Sequence, residues 1–221
     1  MKNKFKIISL LSLSLILTAC GGGADKPAEK PAEPAAPTTT EAPANTEAPA
    51  ETTETTETAQ AGEFKAETPI LLTSAGQSAD VEMIKAMLDA AGISYTQENL
   101  ATSENLADAK TLILAVGGSS KGLGAAGIDA DGEAQRLQEL IDAAKANGVK
   151  IVALHTGGEA RRGELSDRFV TLAFENADYG IAVEDGDKDG LIKSSAEKNG
   201  STVEYIKSIT DTTESLKNIF M

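Results

Sequence analysis

Thr111-Leu112-Ile113-Leu114-Ala115-Val116, followed at once by Gly117-Gly118-Ser119-Ser120, decides the fold. After its first residue the run carries no polar side chain, so neither face is marked as wet. A strand of that kind is covered on both sides, the condition found inside a parallel sheet. Pro69-Ile70-Leu71-Leu72-Thr73 and Lys150-Ile151-Val152-Ala153-Leu154-His155 read the same way, and Tyr179-Gly180-Ile181-Ala182-Val183 is a further strand. Ile93 to Thr96 and Val203 to Ile209 alternate more, as strands nearer the sheet edges do.

Helical stripes separate these runs. Val81, Ile84 and Leu88 share one face of a helix that ends at Gly92, and Leu137, Leu140, Ile141 and Ala144 share another that ends at Asn147-Gly148. Leu165, Phe169 and Leu172 mark a third helix. Leu216, Ile219 and Phe220 mark a last one, opened by Asp211 and Glu214 at capping-box spacing. This alternation predicts an α/β domain over residues 63–221, a single three-layer, doubly wound, mostly parallel sheet. The flavodoxin-like order 2-1-3-4-5 is favoured, with the Rossmann order as the alternative.

The residues ahead of that domain divide into two unlike segments. Residues 1–20 carry Lys2, Lys4 and Lys6, an apolar stretch from Ile7 to Leu17 broken only by serines, and then Leu17-Thr18-Ala19-Cys20. The order of charge, apolar run and small residues is that of a signal peptide. The apolar run is too short for a permanent span, which needs about 20 residues. Leu17-Thr18-Ala19-Cys20 resembles the lipobox of bacterial lipoproteins, and the resemblance implies acylation of Cys20 as the mature N-terminus. The protein is then expected to be exported and lipid-anchored to the outer face of a bacterial cell membrane or to the cell envelope. Cys20 is the chain's only cysteine, so no disulfide can form within the mature protein.

Residues 21–62 hold six of the seven prolines, a Thr/Glu run and no aromatic residue. Such a segment cannot bury enough apolar surface to offset its ordering entropy, and is expected to be a disordered tether. As a flexible coil it would reach on the order of 35 Å. Its eight acids against two lysines give −6 and the signal contributes +3, which leaves −11 of the total −14 on the domain. So acidic a domain is not expected to bind nucleic acid through its net field. The expected partners are the membrane, reached through the lipid, a small anionic ligand, and a membrane or envelope protein.

Ligands of open α/β sheets collect at the carboxyl ends of the strands, and there the sequence is unusual. After the first strand come Ser74, Gln77 and Ser78, leading into a helix N-terminus that favours an anion. After the third strand comes a glycine-rich loop, residues 117–127, with Gly117, Gly118, Ser119, Ser120 and Lys121. After the fourth come His155, Arg161 and Arg162. These eleven residues are the candidate ligand contacts. Each has a plainer account: the serines cap helices, the glycines form an empty surface loop, His155 is a hydrogen-bonded structural residue, and the arginines pair with Glu159, Glu164 and Asp167.

Familiar chemistries fit poorly. Leu123 and Gly124 stand where a phosphate-binding P-loop needs Lys and Ser/Thr, and the glycine turn follows the third strand instead of the first, so no nucleotide or other cofactor is expected. Asp185, Asp187, Asp189 and Gly190 match the opening of a calcium loop, but Ala196 occupies the place of the bidentate carboxylate, which favours a helix-capping turn. No metal ligand set is assigned. A hydrolase would draw on Ser74, Ser119 or Ser120 with His155 and Asp167, but there is no Gly-x-Ser-x-Gly elbow and no catalytic residue is assigned. A ligand-binding or sensing module is the leading reading. The hydrolase, and a protein-interaction or envelope spacer module, are the alternatives.

The stretches from Gly117 to Asp129 and from His155 to Asp167 are similar to those of an uncharacterised family of bacterial lipoprotein domains. That resemblance implies a shared domain and carries no activity with it.

Overall fold

The computed structural model describes residues 64–221. The expected signal peptide, Cys20 and tether lie outside the described residues.

One sheet of six parallel strands organises the domain. Its members are β1 (Ile70–Ala75), β2 (Thr96–Gln97), β3 (Thr111–Val116), β4 (Lys150–His155), β5 (Tyr179–Val183) and β6 (Thr202–Ile206), in the order β2-β1-β3-β4-β5-β6. The flavodoxin-like order therefore holds, extended by one strand. Ile70 pairs with Thr111, Thr111 with Lys150, Val152 with Tyr179 and Tyr179 with Thr202. β1, β3, β4 and β5 thus begin and end at nearly the same level, and the loops after them share one edge.

The helices are α1 (Asp80–Ala91), α2 (Ser120–Ala126), α3 (Ala130–Ala146), α4 (Glu164–Phe174), α5 (Leu191–Lys198) and α6 (Thr212–Phe220). On one face Leu112, Leu114, Ile151 and Ala153 pack against Leu137 and Ile141 of α3, Phe169 and Phe174 of α4, and Ile192 of α5. On the other, Leu72, Ile113, Val152 and Ile181 pack against Ile84 and Leu88 of α1 and Leu216 and Ile219 of α6. Strand residues alternate between these layers, which is why the central strands could carry no polar side chain in their middles. No helix among the described residues is long and apolar enough to cross a membrane.

Four elements depart from expectation: β6 ends at Ile206 instead of Ile209, the Asp211 carboxylate accepts the Ser208 N–H and makes no side-chain cap on α6, and two further departures involve β2 and the 117–127 segment. β2 is only Thr96–Gln97, because the apolar Ile93 before it is used to pack against α1 in the turn that follows Gly92. The expected glycine-rich loop at 117–127 is mostly helix: Ser119 accepts the Gly122 N–H as N-cap, α2 runs from Ser120 to Ala126, and Gly127 closes it in the left-handed conformation. Its glycines hid it, since glycine costs a helix interior about 1 kcal/mol. Gly124 has open space around it. Gly124→Ala should therefore stabilise the protein by about 0.5–1 kcal/mol in urea unfolding, whereas a flexible loop would show no gain.

At the opposite, amino-terminal edge, residues 64–69 cross the starts of the strands. The Phe64 ring stacks on Tyr179 at 4.8 Å and 7°. Lys150 Nζ sits 5.4 Å from the Phe64 ring centre, a cation–π distance. Thr111 Oγ1 donates to the Glu67 carbonyl at 2.7 Å, and the Ala66 N–H donates to the Ile219 carbonyl at 2.8 Å.

Candidate functional site

The carboxyl edge is built from two stitched pairs of loops. In the first pair Gly76 (φ +109°) and Gln77 (φ +57°) turn the chain sharply out of β1, and Gln77 forms an isolated bridge with Gly118 after β3. A non-glycine residue at positive φ stores strain that its surroundings must hold in place. Here the holder is Glu133 of α3. Its wholly buried carboxylate accepts the Gly76 N–H at 2.9 Å and Gln77 Nε2 at 3.1 Å, and pairs with Arg136 Nε at 2.8 Å. Arg136 in turn donates to the Ala101 and Ser74 carbonyls, at 2.7 Å each. The spacing of Glu133 and Arg136, three residues apart on a helix, was visible in the sequence, but nothing there marked that pair as facing inward.

Ser78 donates to Asp80 Oδ2 at 2.8 Å and accepts the Asp80 N–H, so it turns the chain into α1 while Ala79 holds the cap position. Asp80 places the protein's own carboxylate where an anion was expected. Gly118 donates its N–H to Ser166 Oγ at 3.0 Å. Gly117 is buried, and Ser120 and Lys121 are exposed at the start of α2.

The second pair joins the loops after β4 and β5. Arg162, with only 11% of its side chain exposed, donates to Asp167 at 2.6 Å, to Asp189 at 2.8 and 3.0 Å and to the Gly186 carbonyl at 2.5 Å. This arginine is a structural clamp, and the bond to Asp189 raises its pKa while holding the Asp189 carboxyl below its ordinary value. Arg161 is different: its side chain is 49% exposed and makes one ion pair, 3.3 Å from Asp80. That contact is the strap between the two loop pairs. Asp187 caps α5 through the N–H groups of Ile192 and Lys193, as a capping turn would. Among the described residues no group of three or more His, Cys, Asp or Glu is placed to hold a metal ion.

Beneath this cover lie polar atoms without partners. Ser74 Oγ and Thr156 Oγ1 are buried and make no hydrogen bond among the described residues, and the buried ring nitrogens of His155 make none of good geometry, the Arg161 backbone being close enough to act on the ring without a well-aligned bond. Buried polar groups are nearly always paired, so each orphan calls for an explanation. Alternation along the strands puts Ser74 with Leu72 on the α1/α6 face and His155 with Ala153 on the α3/α4/α5 face. Ser119 is occupied capping α2 and Asp167 is held by Arg162. Among the described residues, Ser74, Ser119, His155 and Asp167 make no hydrogen bond with one another.

Burial pushes the His155 pKa down and Arg162 adds to that, outweighing the upward pull of the Arg161 backbone, Asp80 and Asp167. A folded value below the unfolded one, about 6.5, means that the unfolded chain binds the proton first. This contribution to stability is complete above about pH 6.5 and is lost as pH falls toward the folded value, at up to about 1.4 kcal/mol per pH unit. Urea unfolding of the wild type and of His155→Gln between pH 5 and 8 should differ by that slope below pH 6.5. Parallel curves would refute it.

The loops after β4 and β5 flank a half-open cavity of about 190 Å³, lined by Glu159, Arg162, Asp167, Asp185, Gly186, Lys188 and Asp189. A wider hollow of about 540 Å³ beside β2, lined by Lys85, Asp89, Tyr95 and Gln97 among others, holds none of the orphan atoms. The smaller cavity is the better candidate, since it lies at the carboxyl edge with His155 just behind its wall. The β5 loop was missed as a site in the sequence because Asp185 to Gly190 looked only like a cation loop or a cap.

Fold and edge together define a flavodoxin-like parallel α/β domain with a small polar cavity at the carboxyl ends of two strands. The chain belongs to the family described as domain of unknown function DUF6305, which matches residues 67–220. No curated relative matches the chain. Among solved structures it is similar to the crystal structure of AlinE4, an SGNH-hydrolase family esterase, at 11% identity and a TM-score of 0.30, covering 72% of this chain and 84% of that one. A mutant of the same esterase aligns at 12% identity over the same shares, also at 0.30. A likeness that distant says nothing of this chain's chemistry.

Proposed function

We propose that the domain is a small-ligand binding or sensing module, exported and held at a membrane or envelope surface through a lipid on Cys20, with its ligand seated at the carboxyl edge of the sheet. The observation that carries the reading is the set of unpartnered polar atoms beneath the crossover loops, His155 foremost, beside a cavity bounded by glycine backbone and charged side chains. Sites of this fold gather at that edge. The cavity is below the roughly 300 Å³ at which drug-sized pockets begin, which suits a small solute. Of the cations first considered for an anion, Lys121 makes no ion pair among the described residues, and Arg161 is half-exposed with a single ion pair, to Asp80. The lipid anchor rests on the order of charge, apolar run and Leu17-Thr18-Ala19-Cys20 in the sequence.

Native mass spectrometry of the full chain, extracted gently in mild detergent, should show a co-purifying small molecule. Apoprotein alone, together with silence in a broad solute screen, would favour an interaction or spacer module. The arginines separate the roles further. Arg161→Ala should change stability by less than about 1 kcal/mol while weakening retention of the ligand. Arg162→Ala should cost about 2 kcal/mol, because three carboxylate and carbonyl contacts go with it. Equal unfolding midpoints for the two variants would show that Arg162 is no clamp.

A further inference from the structure

Residues 157–161, after β4, form a short turn whose two ends are fastened differently. The leading end is the pair Gly157-Gly158, and Gly158 sits at φ +59°, where L side chains are strained. The trailing end is Arg162, fixed by Asp167, Asp189 and the Gly186 carbonyl. Between them the backbone bonds are internal: the Arg161 N–H donates to the Gly158 carbonyl at 3.1 Å and the Arg162 N–H to the Glu159 carbonyl at 3.0 Å. Among the described residues the side-chain ties of the turn are Glu159 with Lys188, both exposed, and Arg161 with Asp80. Ion pairs with an exposed member hold weakly. A turn fastened in this way can swing about its glycines while Arg162 stays in place.

What the turn covers is polar and poorly satisfied. Thr156, the residue before it, is 4% exposed and its hydroxyl has no partner among the described residues. His155 is wholly buried, and its ring lies against the turn: a Cβ built on Gly186 would be 3.0 Å from His155 Nδ1 and 3.2 Å from the Gly158 Cα. Such groups are costly under a cover that never lifts, and water or a ligand would satisfy them when it does. The Arg161 side chain completes the cover. A Cβ on Gly157 would strike its stem at Cγ and Cβ, so the stem lies flat across Gly157 before the guanidinium reaches the buried Asp80 at the start of α1.

We propose that residues 157–161 are a lid, hinged at Gly157-Gly158 and latched by the Arg161–Asp80 ion pair, whose opening gives a ligand access to Thr156 and His155. The inference rests on the ligand-binding reading above and adds the gate of that site.

His155 is the only histidine in the chain, which makes it a single reporter of the lid. The full chain in mild detergent is treated with diethyl pyrocarbonate at about pH 7, where the buried ring is neutral. A ring nitrogen takes up one ethoxycarbonyl group as ethanol and carbon dioxide leave, and peptide mapping by mass spectrometry follows the rate at His155. The wild type should react slowly, at a rate nearly flat in low urea because only the lid moves. Arg161→Ala should react about fivefold faster, the factor that one such ion pair is worth, with little change in the urea midpoint. Gly157→Ala keeps both charges but pushes the Arg161 stem aside, and should do the same. Added sodium chloride should speed the wild type and leave Arg161→Ala unaffected. Equal rates in the wild type and both variants overturn the lid, as does a wild-type rate that climbs steeply with urea, the mark of global unfolding. The mass spectrum of the gently extracted chain decides the ligand reading separately: a bare chain whose lid still answers to Arg161 would remove the ligand and keep the lid.

Discussion

Arg136→Ala should lower the unfolding free energy by about 3–5 kcal/mol, a large part of the 5–15 kcal/mol typical of a domain. The cause is the partner left behind. Glu133 is wholly buried, and its charge is balanced by the guanidinium at 2.8 Å. Without it, two donors from the β1 loop would have to hold an uncompensated carboxylate in an apolar layer. The Ala101 and Ser74 carbonyls would lose their donor as well. Replacing both residues, Glu133→Leu with Arg136→Met, should cost less than the single change, since no buried charge survives, although the Gly76 N–H and the Gln77 amide then lose an acceptor while the Ala101 and Ser74 carbonyls lose their donor as before. Urea unfolding of the single and double variants decides it, and a single variant within 1 kcal/mol of wild type would show the pair to be incidental.

Gly76→Ala is the second severe change, with an expected loss of about 3 kcal/mol or more. Gly76 sits at φ +109°, where an L side chain is strained, and a Cβ there would meet the Gly117 carbonyl and lie 2.6 Å from Phe169. Neither neighbour can give easily. Gly117 donates its N–H to the Ala75 carbonyl at 3.0 Å, and Phe169 is fully buried in the α4 layer. The strain would spread through Gln77 to Gly118 and α2, so the urea midpoint should fall and the bridge between the first two loops should open. Hydrogen exchange at Gly118 and Ser119 would report that opening; exchange unchanged at both amides would mean that the loops are not coupled.

How much of this was legible depends on what each residue responds to. Leu112 to Val116 and Ile151 to Leu154 spoke plainly, because burial on both faces leaves no polar alternation and only one kind of sheet allows that. Gly92 and Gly148 ended their helices as written. The 117–127 segment misled, since its helix is held by the Ser119 cap and by the Gln77 backbone packed against Gly122, forces that composition does not display. Among the candidate contacts, Arg161 and Arg162 are neighbours in sequence with the same chemistry, and only tertiary structure separates a half-exposed strap from a clamp. Asp80 and Asp185 could not be ranked beforehand, because which carboxylate finds a partner depends on loops folded from distant parts of the chain.

The stacked Phe64 and Tyr179 have a mechanical meaning. Under the proposed anchoring at Cys20, tension would enter the domain at residues 64–69, which grip the first residues of β3, β4 and β5 through Thr111, Lys150 and Tyr179. Load entering there runs lengthwise along the central strands, the direction in which many hydrogen bonds share it. The crossover loops, at the far pole, stand outside the load path. Pull applied ahead of residue 64 would therefore leave the geometry of the carboxyl edge undisturbed, and the proposed ligand would be met at the pole opposite the proposed anchor.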